Sequence, residues 1–132
     1  MPEGDDLAEA GSIRNINSRG GTMNCVNCAI AADAVLAGRP ASALLGGPSR
    51  IDTIEKIFGA KFSTSCDIGT VVDALLQAGS GGRGIVFGSR SNGVGHVFNV
   101  INQNGAIRFL DGQTGRAALL SEYAEFRFLR IN

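Results

Sequence analysis

The chain has no tryptophan, one tyrosine, one histidine, three prolines and three cysteines in 132 residues. Three cysteines cannot all pair within one chain, so no disulfide framework is expected and stability must come from a packed core. Lysine plus arginine number 12, aspartate plus glutamate number 12, and the formal net charge is zero. A long-range pull toward nucleic acid or an anionic membrane is therefore not expected. No apolar run approaches the ~18 residues a membrane span needs, and no signal-peptide pattern precedes the fold.

What is present describes one folded domain. Hydrophobic residues make up 44% and charged residues 18%, the balance of a globule rather than a disordered tail. The 19 glycines fall at turns without a period, which rules against a repeat protein. Residues 1–19 read as a linker or frayed N-terminal segment and residues 20–132 as the domain. From 25 to 37 small and apolar positions recur at helical spacing, with Asn24 before them as a cap and Gly38 after them. A shorter helix is expected over 49–58, capped by Ser49 or Asp52, and a third over 68–78. Strands follow at 84–88, 95–102, 106–111 and 126–131, with one helical turn over 118–123. Helices first and an antiparallel sheet second make an α+β fold.

The strand at 95–102 and its partner turn at Asn104-Gly105, a strong hairpin signal. A two-residue loop there sets Asn102 opposite Ile107, Val100 opposite Phe109 and His96 opposite Gln113. Residues of one parity share a face, so His96, Asp111 and Gln113 gather at one end of the sheet. A one-residue slip would destroy that grouping. Phe98, Val100, Ile107 and Phe109 fill the rest of the face, and the helix beginning at Cys25 is expected to cover them.

Cys25 follows the cap residue in Asn24-Cys25-Val26-Asn27-Cys28. The first turn of a helix favours a thiolate, because its unpaired N–H groups and the dipole favour negative charge. His96 is placed to act as base and acid toward that thiol, and Asp111 to hold the imidazole's other nitrogen. The Cys25 backbone N–H with Gln113 or Asn24 would supply oxyanion donors. Cys28, one turn deeper, is the alternative nucleophile. Three rival readings use some of the same residues. Cys25-x-x-Cys28 has thioredoxin-like spacing but no βαβ context, and Cys25, Cys28, Cys66 and His96 would form a Cys₃His zinc set of which only the first pair has ligand spacing. Gly79-Ser80-Gly81-Gly82-Arg83-Gly84 resembles a phosphate loop only in its glycines. No cofactor and no metal are expected.

Four segments, in order, carry a resemblance: Asn24-Cys25-Val26-Asn27-Cys28-Ala29-Ile30-Ala31-Ala32-Asp33, then Leu36-Ala37-Gly38-Arg39-Pro40-Ala41-Ser42-Ala43-Leu44, then Gly95-His96-Val97-Phe98-Asn99-Val100, then Phe109-Leu110-Asp111-Gly112-Gln113-Thr114-Gly115. They resemble the papain-fold toxin domains, glutamine-deamidase-like modules at the C-terminus of bacterial polymorphic toxins. The resemblance implies a papain-like core with Cys25 as nucleophile, His96 as base and Asp111 as orienting residue. It implies conversion of a glutamine side chain of a target-cell protein to glutamate and ammonia. The same triad would also serve a cysteine protease or a transglutaminase-like acyltransferase, and a papain-shaped module without catalysis would serve binding. The resemblance further implies secretion or injection as part of a larger bacterial toxin, action in the target-cell cytoplasm and a cognate immunity protein. Arg90 and Asn92, in the loop 89–93 before His96, are the expected contact for that partner, and a monomer is expected.

Overall fold

The computed structural model describes Ile13, Ile16, Asn17, Gly21 and residues 24–38, 51–92 and 95–131. Its organising unit is the hairpin announced by Asn104-Gly105. The strands β1 (Arg83–Ser89), β2 (Gly95–Gln103), β3 (Ala106–Asp111), β4 (Arg116–Ala117) and β5 (Glu125–Arg130) form one antiparallel sheet, ordered β4-β3-β2-β1-β5. Asn102 pairs with Ile107 and Val100 with Phe109, the register that a two-residue turn sets. Asn104 takes a φ of 53°, the left-handed conformation that such a turn requires of its first central residue. The β2–β3 ladder stops at Asn99–Leu110, so Gln113 does not pair with His96. After Asp111 the chain turns and returns as β4, whose two residues carry too little alternation to read as a strand.

Three helices are described: α1 (Cys25–Leu36), α2 (Asp52–Phe58) and α3 (Ile68–Ala78). Gly38 follows α1 as expected and Gly59 ends α2; Asp52, one of the two expected caps of that helix, is instead its first residue, with Ile51 at the cap position, and the other, Ser49, lies outside the described residues. Asp67 caps α3, its carboxylate accepting from the Thr70 N–H at 2.9 Å.

β2 is buried from His96 to Asn102 because each of its faces carries a helix. On one face Val26 and Ala29 of α1 pack with Val97, Ile85 and Leu129, and Cys28, Ala32 and Leu36 pack with Ile101 and Leu110. On the other, Val71 and Leu75 of α3 cover Phe98 and Val100, with Ile107 and Phe109 at the margin. The expectation that the cysteine helix covers Phe98, Val100, Ile107 and Phe109 is thus corrected. β2 is apolar on both sides, so its alternation does not say which helix takes which face. Asn99 marks the α1 side, its Nδ2 donating to the Ala29 carbonyl at 2.9 Å.

Ile13 and Ile16, inside the stretch read as linker, are 0% and 1% exposed and belong to the same core as Cys28 and Leu110. Two isolated isoleucines among polar residues show no period, which is why the sequence reading passed over them.

An ion pair also joins α1 to the sheet. Asp33 is buried, and its Oδ1 accepts from Arg83 Nε at 2.9 Å. Removing one partner of such a pair leaves an uncompensated charge. Asp33→Ala is expected to cost about 3 kcal/mol in urea unfolding, with most of the loss recovered in Asp33→Ala/Arg83→Met. A single variant within about 0.5 kcal/mol of wild type would show the pair to be dispensable.

Candidate active site

The site lies at the end of the sheet where β2 begins and β3 ends. His96 is the second residue of β2, and Asp111 is the last of β3. Both side chains emerge on the α3 face, as the parity of the hairpin requires. His96 Nε2 and Asp111 Oδ2 are 2.8 Å apart, in a buried contact. An ionised carboxylate only accepts, so Nε2 carries the proton and donates. The other carboxylate oxygen accepts the Gln113 N–H at 3.0 Å, and the Asp111 carbonyl accepts the Gly115 N–H at 2.8 Å. The turn after Asp111 also rests on α1. A Cβ at Gly112 would stand 3.0 Å from the Cys28 carbonyl oxygen and 3.2 Å from the Ala32 Cβ.

Cys25 is the first residue of α1 and is half-buried. Burial raises the Cys25 thiol, but a hydrogen bond with His96, backbone N–H donation from Val97 and Val26, and the imidazolium charge together bring it below the ordinary thiol value. Burial likewise lowers His96, yet hydrogen bonds to Asp111 and Cys25 and the two negative charges push it up to about 9. With Nε2 committed to Asp111, Nδ1 is the nitrogen left for the sulfur. A thiolate–imidazolium pair is the ground state that these shifts favour.

Cys28 is turned the other way. It is 1% exposed, packs in the core with Ile13 and Ile16, and is pushed up to about 12 by burial and by the charges of Asp111 and Cys25. Cys66 is half-buried on the α3 side, and its N–H donates to the Phe126 carbonyl at 2.8 Å. Among the described residues no group of three or more His, Cys, Asp or Glu side chains gathers as a metal site. The sheet that receives α1 is antiparallel throughout, so the thioredoxin-like reading lacks its βαβ unit.

Asn24 and Gln113, the two side-chain amides expected near the sulfur, are bonded to each other. Gln113 Nε2 donates to Asn24 Oδ1 at 3.2 Å, and Asn24 Nδ2 donates to Asn17 Oδ1 at 3.0 Å. Asn17 Nδ2 in turn donates to the Gln113 carbonyl at 3.0 Å and to the Gly21 carbonyl at 2.7 Å. Asn24 is 1% exposed and makes no side-chain cap to α1. Its amide thus ties Asn17 to the turn after Asp111. Gln113 is only half-buried and keeps a second amide hydrogen. Sequence reasoning missed Asn17, which stands in a Gly- and Asn-rich stretch with no pattern to single it out.

A helix led by a cysteine and set on an antiparallel sheet that carries a hydrogen-bonded histidine and aspartate defines a papain-like α+β fold. The family model described as papain fold toxin 1, glutamine deamidase, matches residues 23–116, and the chain belongs to that family. No curated protein matches it.

The two thiols differ enough for a direct measurement. Iodoacetamide near neutral pH should label Cys25 first and leave Cys28 unmodified in the folded protein, as read by peptide mapping. Faster labelling of Cys28 would contradict both its burial and its raised pKa.

Proposed function

We propose that this chain is a cysteine-dependent protein-glutamine deamidase in which Cys25 is the nucleophile, His96 the acid and base, and Asp111 the orienting residue. The observation that carries the reading is the chain of contacts from the Cys25 sulfur through His96 to Asp111. It supplies an activated nucleophile, a proton carrier and the group that holds the carrier in one tautomer.

In this mechanism the Cys25 thiolate attacks the carboxamide carbon of a glutamine side chain. The oxygen's developing charge falls to the Cys25 N–H, which has no partner within the helix, and to the remaining amide hydrogen of Gln113. The imidazolium gives its proton to the departing nitrogen, which leaves as ammonia. His96, now neutral, takes a proton from water as the water attacks the thioester. Glutamate forms and the sulfur departs as thiolate beside the imidazolium. The balance is carboxamide plus water to carboxylic acid plus ammonia, and the cycle calls for no cofactor or metal.

Membership in a toxin family supports the wider setting. The module is delivered by secretion or injection as part of a larger bacterial toxin, acts on a protein in the target-cell cytoplasm, and is held in check by a cognate immunity protein. The loop with Arg90 and Asn92 leads into β2, whose second residue is His96, which suits a partner that both recognises the surface and bars substrate.

The test is the intact mass of candidate target proteins after incubation. The small gain of an amide-to-acid exchange supports deamidation, fragments mean proteolysis, adducts mean acyl transfer, and unchanged masses favour a binding module. Cys25→Ala should abolish the gain and relieve toxicity in cells lacking the immunity protein, while still binding that protein on co-expression. Asp111→Asn should fold and lose at least about a hundredfold in rate, since the imidazole loses its orientation.

The pH profile follows from the two shifts. Cys25 titrates below the ordinary thiol value, so the rate should rise on the acid side of it. His96 holds its proton to about 9, so the rate should fall as pH passes that value and the acid for ammonia departure is lost. In Asp111→Asn the alkaline limb should move down toward about 6.5. An unchanged alkaline limb would remove Asp111 from the proton chemistry.

A further inference from the structure

Tyr123, the chain's one tyrosine, follows a 3₁₀ turn (Leu120–Glu122) and enters β5 beside the site. Its ring lies over Gly88, the β1 residue in register with His96. A Cβ at Gly88 would stand 2.6 Å from the Tyr123 ring, so only glycine admits it there. The ring stacks on Phe98 at 5.4 Å between centroids, and Phe98 stands 6.4 Å from the His96 ring. The Arg90 guanidinium sits over the ring at 5.0 Å and is itself held by Glu122 at 3.3 Å. Phenylalanine, arginine and the glycine floor thus fix the ring, yet its hydroxyl has no hydrogen-bond partner among the described residues, and the residue is only half-buried.

We propose that Tyr123 is a substrate-positioning residue whose hydroxyl donates to a main-chain carbonyl of the target segment that carries the reacting glutamine. The inference rests on the deamidase reading of Cys25 and His96. Phe98 packs against both the phenol and the imidazole, and the ring lies on Gly88 in register with His96, so the phenol stands beside the site, along the path of a bound segment that carries the reacting glutamine. Burial, with the charges of Asp111, Glu122 and Cys25, raises the phenol's pKa against the lowering effect of Arg90, so the group remains a donor. An ordered aromatic donor is a low-entropy way to grip an extended segment.

The test uses two alkylating probes on the intact chain. One is iodoacetamide, which reports Cys25 reactivity alone. The other is a blocked tripeptide whose glutamine carboxamide is replaced by a chloromethyl ketone, so that the sulfur displaces chloride and forms a thioether. Tyr123→Phe keeps the ring and its packing and removes only the hydroxyl. Its half-saturating concentration of tripeptide should rise roughly three- to tenfold, the worth of one neutral hydrogen bond. Its limiting labelling rate and its iodoacetamide rate should equal wild type. Unchanged half-saturation, equal slowing with both probes, or wild-type labelling that never saturates would each overturn the proposal. Failure of the deamidase reading has a different signature, with Cys25 resistant to both probes in wild type, and would overturn the inference with it.

Discussion

Main-chain pairing between β2 and β3 ends at Asn99 and Leu110, and beyond it the strands are joined by the hydrogen bond from His96 Nε2 to Asp111 Oδ2 at 2.8 Å. The same contact holds the sheet end together, raises the imidazole's affinity for its proton and turns Nδ1 toward the sulfur. Both groups are largely withdrawn from water, where a charge-assisted hydrogen bond is stronger than at the surface. The remaining oxygen of Asp111 is also engaged, by the Gln113 N–H, so the carboxylate has little freedom to rotate away.

The sulfur arrives from the other side of the sheet. α1 packs on the face opposite His96, and its first residue, Cys25, meets the imidazole. Apolar packing is non-directional and would tolerate sliding of α1 along the strands. Three polar contacts restrain that motion. Arg83 holds Asp33 in the helix's C-terminal half, Asn99 holds the Ala29 carbonyl near its middle, and Asn17 with Gln113 holds Asn24 at its start. The contacts fall at three points along α1 and reach four separate parts of the chain. Together they set the position of Cys25 more narrowly than the alanine-rich packing surface could.

The hairpin, its register, the shared face of His96 and Asp111, and the extents of α1 and α3 were all legible, because each follows from a local period or a two-residue turn. The assignment of helices to faces was not. Val97, Phe98, Val100 and Ile101 bury in both directions, and alternation carries information only where one side is polar. Asn24 shows a second limit. Its position before α1 has the statistics of a cap, but two distant amides compete for its side chain and win, and a local rule cannot count such competitors. Asn17, Ile13 and Ile16 lie in a segment whose composition is that of a loop, and only tertiary packing gives them a purpose.

Cys25 and Cys28 sit one turn apart on the same helix, and the helix dipole alone would separate them modestly. The large divergence comes from what each sulfur meets. Cys25 meets an imidazolium and two backbone N–H donors, which outweigh the penalty of partial burial. Cys28 meets apolar side chains and the fields of two negative groups, one of them Cys25, so a charge on the first sulfur helps keep the second protonated. A pair of thiols at redox-motif spacing is in this way divided into a nucleophile-like group and an inert core residue. The division is made by the neighbours that tertiary structure supplies, and spacing in the sequence could state only that two candidates existed.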